Sequence, residues 1–191
     1  MNKKDRIREL IPAIGKIRNP KLRSSVTEVW VKAWEESAWE DVAGCPFSLE
    51  SQDCSLIQHT NFVIGAALAM ASSAEEMWKS KVDIDLLTAG AILHDVSKMV
   101  EFAPEEGKLG KVSATGENLV HATYGVHLAL NAGLPLGVIN LIGTHSPQVS
   151  KLPKGVEGIV LCYADYAAAD IFNLRRGKPL LLGTVELKLR P

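Results

Sequence analysis

The chain has 191 residues, of which 47% are hydrophobic, and its formal net charge is −1. This length predicts one domain with a sizeable core, and the low charge argues against nucleic acid or an acidic membrane surface as a partner. Three cysteines are too few for a disulfide framework. The N-terminus is charged and lacks an apolar signal segment, and no apolar run is long enough to span a membrane, so we expect a cytoplasmic protein.

The first part of the chain predicts a helical extension over residues 1–50. Residues 3–17 have helical apolar spacing, although Pro12 and Gly15 can split this helix in two. A second helix is predicted over 21–37. The extension also contains Trp30, Trp34 and Trp39. We favour packing of these side chains onto the main core, and the alternative is a homodimer surface, where tryptophan is enriched.

Residues 40–53 predict a linker, which ends at Asp53 as a candidate helix N-cap. A helix is expected over 54–73, with His59 on its apolar face. The next helix, 83–100, carries His94, Asp95 and Lys98. Adjacent residues on a helix point about 100° apart, so His94 and Asp95 can converge on one ion only near a helix end or a bend. A buried ionised aspartate also needs a positive partner, and a divalent cation is the obvious candidate.

The rest of the chain continues mainly with helical periodicity. Residues 103–116 predict a polar loop. It is longer than a connection between two helices usually is, so we expect the loop to have a function. Helices are expected over 117–132, 135–144 and 155–174. In the tail 180–190, apolar residues recur at every second position, which is a weak indication of a strand. No strand–helix alternation and no glycine-rich phosphate-binding motif is present. We therefore predict an all-α fold, in which 51–177 form the metal-binding domain and 178–191 form a tail.

Histidines and aspartates recur on these apolar helices. The histidines are His59, His94, His121, His127 and His145, and the aspartates on the same kind of segment are Asp95, Asp165 and Asp170. A single histidine of this kind is usually a satisfied core residue, but a shared centre would give all of these polar groups partners at once. His121 and His127 point about 120° apart on one helix, as Asp165 and Asp170 point about 140° apart on another. We assign His121 and Asp165 to the centre, His127 to packing or the surface, and Asp170 to solvent or to Arg175 or Arg176.

The constellation resembles the HD-domain superfamily of metal-dependent phosphohydrolases. The matching segments are Gln58-His59-Thr60, Ala89-Gly90-Ala91-Ile92-Leu93-His94-Asp95-Val96-Ser97-Lys98, His121-Ala122-Thr123-Tyr124-Gly125, Ile142-Gly143-Thr144-His145 and Tyr163-Ala164-Asp165. The resemblance covers about residues 55–175 and implies an HD-type helical bundle. The six-residue form is similar to a branch that includes bacterial symmetric dinucleoside tetraphosphate hydrolases. That branch carries Glu-Pro-x-Arg after the distal aspartate, where this chain has Tyr166-Ala167-Ala168-Ala169-Asp170.

The resemblance implies a centre of one or two divalent ions, and these donors suit Fe, Mn, Co, Ni or Zn. His59, His94, Asp95 and Asp165 would hold the first ion. His121 and His145 would hold the second, with Asp95 as a bridge. A metal-activated water would then hydrolyse a phosphate ester or anhydride of a small nucleotide-like substrate.

Several cations could assist this reaction. Lys98 could neutralise charge on phosphate oxygens, or it could be a solvated helix-end lysine. Exposed candidates for contacting the substrate are Lys108, Lys111, Arg175 and Arg176, for each of which ordinary surface charge is the simpler explanation. Two other functions use the same scaffold, namely an HD-like di-iron oxygenase and a non-catalytic regulatory module with a structural metal.

Overall fold

The computed structural model describes residues 1–50, 54–146, 151 and 153–183. Within these ranges the fold is α-helical, with one two-stranded sheet, so the predicted all-α class is confirmed. The helices are α1 (Lys3–Leu10), α2 (Pro20–Glu36), α3 (Leu56–Trp78), α4 (Ile84–Leu93), α5 (Lys98–Glu101), α6 (Ala114–Asn118), α7 (His121–Asn131), α8 (Leu136–Thr144) and α9 (Gly155–Arg175). The strands are β1 (Phe102–Ala103) and β2 (Lys111–Val112), and 3₁₀ turns cover Pro12–Lys16, Val42–Gly44 and Leu181–Gly183. No helix in the described ranges is both long and apolar enough to cross a bilayer.

The first predicted helix is divided as its proline suggested. The α-helix α1 ends at Leu10, and a 3₁₀ turn begins at Pro12, because a proline inside a helix lacks the N–H that would donate to the preceding turn. Helix α2 then begins after Asn19, whose side chain accepts the N–H groups of Lys21 and Leu22.

The tryptophans join this layer to the rest of the core. Trp30 is buried, and its indole N–H donates to the carbonyl of Ile92 at 3.1 Å. Trp39 donates in the same way to the carbonyl of Phe102 at 3.0 Å. The layer therefore packs directly against the segment that carries the His94–Asp95 pair. The division into 1–50, 51–177 and 178–191 and a homodimer surface both stay predictions.

Helix α3 begins with a reciprocal cap. The Ser55 side chain accepts the N–H of Gln58, and the Gln58 side chain accepts the N–H of Ser55. The predicted cap, Asp53, lies outside the described residues. The helix extends to Trp78 and ends at Lys79, which has a left-handed φ of 55°.

The predicted single helix over 83–100 is wrong, because the helix is interrupted between His94 and Ser97. Here the helical pattern gives way to tight turns, in which the N–H of Val96 donates to Leu93 and that of Lys98 donates to Asp95. Helix α5 begins only afterwards. The interruption lies at the His-Asp pair, where convergence of the two side chains required a helix end or a bend.

The predicted loop 103–116 contains regular structure of its own. Strands β1 and β2 pair antiparallel, with Phe102 opposite Val112. The Ser113 side chain caps α6 by accepting the N–H of Gly116. An extended residue at Leu119 then separates α6 from α7, so the helix predicted over 117–132 begins at His121 instead.

The last two helices match their predicted ranges closely. Gly133 follows α7 with a φ of 63°, as expected for a helix C-terminus. The predicted tail strand lies mostly outside the described residues, apart from the turn Leu181–Gly183.

Helix α3 packs between α4 and α9, and α8 contacts α4, α7 and α9. This packing brings the polar ends of several helices to one buried point.

Candidate metal centre

All six predicted ligand residues meet at this buried point. His59 lies in the first turns of α3, and Asp165 lies at the middle of α9. His94 and His145 directly follow the last residues of α4 and α8, and His121 is the first residue of α7. The side chain that lies between all of the others is Asp95, which is 2% exposed.

The donor atoms form two groups that share Asp95. The first, here called the four-residue group, consists of His59, His94, Asp95 and Asp165. Its shortest contact joins His59 Nε2 to Asp165 Oδ1 at 3.0 Å. Asp95 contributes its Oδ2 atom, which is 3.4 Å from His59 Nε2 and 3.5 Å from His94 Nε2.

The second, here called the three-residue group, consists of Asp95, His121 and His145. Asp95 contributes its other oxygen, Oδ1, which is 3.2 Å from His121 Nε2 and 3.4 Å from His145 Nε2. The two imidazole nitrogens are 3.4 Å apart. One carboxylate therefore presents one oxygen to each group, which is the arrangement expected of a bridging ligand.

Backbone carbonyls orient two of the imidazoles. His94 Nδ1 is 2.8 Å from the carbonyl of Ala91, and His145 Nδ1 is 2.8 Å from the carbonyl of Ile142. Because a carbonyl oxygen only accepts, Nδ1 carries the proton in both rings. The lone pair of Nε2 is then directed into the cluster, as in histidines that bind metals.

A glycine lets α7 approach closely enough to deliver His121. A Cβ atom at Gly125 would lie 2.9 Å from Ile142 Cγ2 and 3.2 Å from Ser97 Oγ. The Ser97 hydroxyl also donates to the carbonyl of His121 at 2.6 Å. The turn after Asp95 therefore anchors the start of α7.

The electrostatics of the cluster favour added positive charge. Burial raises the pKa of Asp95, but Lys98 and the surrounding imidazoles outweigh it and hold this pKa well below its usual value. Burial lowers the pKa of His59, but its hydrogen bonds to Asp165 and Asp95 outweigh that effect and raise it. Burial lowers the pKa of His94 and of His121 to about 4. The pKa values of Asp95 and Asp165 are lowered, which favours ionised carboxylates, and those of His94 and His121 are lowered, which favours neutral imidazoles. Ionised carboxylates and imidazoles form the donor set that a divalent cation requires, so the residues fit a metal.

Lys98 lies at the edge of this cluster and is not a solvated helix-end lysine. Its side chain is 12% exposed, and its Nζ is 3.2 Å from Asp95 Oδ2. The ammonium also donates to the carbonyl of Phe47 and lies 4.2 Å from the centre of the Phe47 ring. Its predicted catalytic role stays a prediction.

Sequence reasoning missed two residues beside the cluster. Glu101 Oε2 is buried without a hydrogen-bond partner in the described part of the chain, and it lies 3.5 Å from His121 Nδ1. Burial raises the pKa of Glu101. The Phe47 ring stacks on His59 with the ring centres 3.8 Å apart. The position of Glu101, one turn after Lys98, was a usable signal, whereas nothing in the irregular segment around Phe47 indicated its position.

The residues assigned away from the cluster do lie elsewhere. His127, which was assigned to packing or the surface, is exposed and forms a hydrogen bond with Asn131. The predicted environment of Asp170 is wrong, because its carboxylate accepts the N–H groups of Leu181 and Leu182.

The cationic candidates differ in their surroundings. Lys108 is exposed and pairs with Glu105, and Lys111 is exposed on β2. The Arg176 guanidinium lies 5.4 Å from the centre of the Phe172 ring. Arg175 lines a pocket beside His59.

Comparison with known proteins places this cluster in a family context. The family model of the HD domain matches residues 56–170, which is more than half of the chain. Over 118 residues the chain is 33% identical to the dihydroneopterin 2′,3′-cyclic phosphate phosphodiesterase of Methanocaldococcus jannaschii. This match covers 61% of the chain and 47% of the relative, so the chain spans about half the length of that protein. No solved structure matches the chain significantly.

Proposed function

We propose that this chain, which belongs to the HD domain family, is a metal-dependent phosphohydrolase that acts on a phosphate ester or anhydride of a nucleotide-like substrate. The observation that carries the proposal is the geometry of Asp95, whose two oxygens face the two groups of donors. The similar archaeal enzyme is named as a cyclic phosphodiesterase, which supports including cyclic phosphodiesters of heterocyclic alcohols among the substrates.

In this proposal the four-residue group would hold one divalent ion and the three-residue group would hold a second. Fe, Mn, Co, Ni and Zn all accept imidazole and carboxylate donors. When bound, such ions supply Lewis acidity toward phosphoryl oxygens and a water of lowered pKa. Asp95 would belong to both sites, and its charge is stabilised by Lys98 and the imidazoles.

The chain's own residues then position and neutralise the substrate. The carbonyls of Ala91 and Ile142 fix the tautomers of His94 and His145, so these rings need no reorientation to present Nε2. The Lys98 ammonium lies 3.2 Å from Asp95 and is held by the Phe47 carbonyl. From there it can neutralise charge that develops on phosphate oxygens beside the cluster.

Metal analysis combined with a substrate screen tests this function. Protein purified without chelator should contain a transition metal and hydrolyse members of a panel of phosphomonoesters, dinucleotides and cyclic phosphodiesters. Chelation should abolish the activity, and one of the five metals should restore it. Asp95→Ala or His94→Ala should remove both metal and hydrolysis, and an Asp95→Ala protein that keeps its activity would contradict the proposal.

The same experiment separates the two other functions. A di-iron oxygenase would need O₂ and iron, whereas hydrolysis should proceed equally under argon. A structural metal would stabilise the fold without any turnover. Structural zinc sites are normally closed by four protein ligands, and the seven donor positions of the two groups, with Asp95 counted in both, exceed what one such site needs.

A further inference from the structure

A small pocket opens directly beside the cluster, between α3 and α9. Its cavity volume is about 250 Å³, and His59 forms part of its wall. Three of the four phenylalanines of the chain, Phe47, Phe62 and Phe172, line it. Phenylalanine is scarce in this protein, so its concentration at one cavity next to the candidate metal centre calls for an explanation.

The walls of the pocket continue the helix faces that carry the predicted ligands. Phe62 follows His59 by three residues on α3. On α9, Phe172 follows Asp165 by seven residues and points about 20° away from it. Arg175 follows Asp165 by ten residues and points about 80° away, at the edge of that face. Ten residues of helix correspond to about 15 Å. The pocket therefore starts at the cluster and leads away from it over roughly the length of one small organic molecule.

The aromatic surface of the pocket is partly open to a ligand. Phe62 is 45% exposed and has no ring partner in the described ranges of the chain. Phe47, in contrast, stacks on His59 and meets Phe172 edge-on at 6.4 Å. Phe62 and the adjoining part of Phe172 thus offer an aromatic wall, while Phe47 connects this wall to the metal centre. Such a wall suits a flat ring, which can stack on it.

The polar groups of the pocket are hydrogen-bond donors. The Gln58 side-chain oxygen already accepts the Ser55 N–H at 2.8 Å, which leaves its amide N–H groups for other partners. The Arg175 side chain has no ion pair or hydrogen bond in the described part of the chain. The described lining includes no carboxylate. A complementary ligand therefore carries acceptors along its edge, as the nitrogen and carbonyl groups of a heteroaromatic ring do.

We infer that this pocket binds the heteroaromatic ring of the substrate, with the ring against Phe62 and Phe172 and its acceptor edge toward Gln58 and Arg175. This inference rests on the proposed function, because it assigns the phosphate of the same molecule to the cluster. The volume agrees with one ring system, since it lies just below the 300–1,000 Å³ of pockets that enclose whole drug-sized ligands. Phe62 and Phe172 are then specificity-determining residues.

A binding experiment without turnover tests the pocket by itself. The metal-loaded protein is titrated with adenosine, guanosine, cytidine, uridine and neopterin, none of which carries phosphate. Ribose, which lacks a heteroaromatic ring, is the control. At least one ring compound should bind, and ribose should not. Phe62→Ala and Phe172→Ala should each weaken that binding about tenfold or more, which is typical of losing an aromatic stacking partner.

Two further variants control for folding and for apolar area. Leu174→Ala removes an apolar side chain on α9 that is 68% exposed and does not line the pocket, and it should bind like the wild type. Phe62→Leu keeps apolar bulk but loses the aromatic face, so it should lie between wild type and Phe62→Ala. Failure of every ring compound to bind the wild type, or equal binding by Phe62→Ala and Leu174→Ala, would overturn the inference.

Turnover then separates this inference from the proposed function. Phe62→Ala should lower kcat/KM for nucleoside or pterin cyclic phosphates about tenfold or more, mainly through KM. It should change kcat/KM for glycerol cyclic phosphate, which has no heteroaromatic ring, less than twofold. If both substrates lose activity equally, the pocket assignment fails while the hydrolase stands. If rings bind through Phe62 but nothing is hydrolysed, the proposed function fails and the pocket stands.

Discussion

The four-residue group and the three-residue group share Asp95 but differ in what surrounds them. The first has two carboxylates and two imidazoles, drawn from α3, the α4 end and α9. The second has one carboxylate and two imidazoles, and one of these, His121, has its Nδ1 near the Glu101 carboxylate instead of a backbone carbonyl. More negative charge and more protein donors should hold an ion more tightly.

This difference suggests a division of labour between the two groups. Sites with four protein ligands are typically structural, whereas catalytic sites leave a coordination position open. We therefore expect the four-residue group to retain its ion through purification and the three-residue group to exchange its ion. The variants below test this asymmetry in order of decreasing effect.

Removal of the shared carboxylate should release the ions of both groups, so that the predicted difference in metal retention disappears. Asp95→Asn keeps the shape of the side chain but loses its charge, so both groups lose their common anionic donor. We expect loss of metal from both and hydrolysis below detection, measured by metal analysis and by turnover of the best substrate. Asp5→Asn, a change in an exposed carboxylate on α1, is the matched control and should behave as wild type.

A histidine pair on α7 tests whether the three-residue group can be changed independently of the four-residue group. His121→Ala should lower the metal content by one ion and reduce kcat/KM at least a hundredfold, while the ion of the four-residue group remains. His127→Ala, on the exposed side of the same helix, should leave both quantities nearly unchanged. An equal loss of metal in the two variants would mean that α7 is oriented differently, and loss of both ions in His121→Ala would contradict the independence of the groups.

The sequence was sufficient to bring the six cluster residues together. His121 could be separated from His127, and Asp165 from Asp170, because positions five or six residues apart point to different sides of a helix. The structure agrees with both choices, since His127 is exposed and Asp170 caps the last 3₁₀ turn. Helical periodicity also identified the main helices, because their buried faces repeat every three to four residues.

The remaining features depend on contacts between distant segments. Ile92, Val96 and Met99 keep the i, i+4, i+7 spacing of a helix, so periodicity predicted one helix where the chain turns at His94. The Phe47 ring reaches His59 only because Pro46 pairs with Ser55 and brings the linker back to α3. Such pairings leave no trace in local spacing. The spacing of Glu101 from Lys98 was a usable signal, but its contact with His121 joins residues on different helices and could not be predicted from that spacing.

A smaller effect is expected from Glu101, which we propose as the positioning residue of His121. Glu101→Ala should weaken metal binding by the three-residue group about 10- to 100-fold, as is typical when a partner of a metal-binding histidine is lost. Glu101→Gln retains an acceptor oxygen and should recover part of the affinity. The ion of the four-residue group should not respond, as followed by competition with a chelating dye. Glu106→Ala, an exposed neighbour, is the control, and a loss there as large as in Glu101→Ala would contradict the positioning role.

The smallest effect concerns the spacing between the two groups. Gly90 lies on α4, which leads to His94, and a Cβ atom there would lie 2.9 Å from Leu141 Cβ on α8, which leads to His145. Gly90→Ala must therefore push α4 and α8 apart, at a cost of about 1–3 kcal/mol in the free energy of unfolding.

At Gly65, alanine should raise the free energy of unfolding instead of lowering it. This glycine lies on the exposed side of α3, where a Cβ atom would meet nothing within 4 Å. Gly65→Ala should stabilise the protein by about 0.5–1 kcal/mol, because alanine loses less backbone entropy in a helix than glycine does. Denaturant unfolding of the two variants measures both changes. Destabilisation by Gly90→Ala alone means that the close contact of α4 with α8, and not helix propensity, decides the effect of a side chain at Gly90. These two helices lead to His94 and His145, whose ring centres are 5.1 Å apart. If both substitutions stabilise the protein equally, α4 and α8 are far enough apart at Gly90 to accommodate a methyl group, which would contradict this prediction.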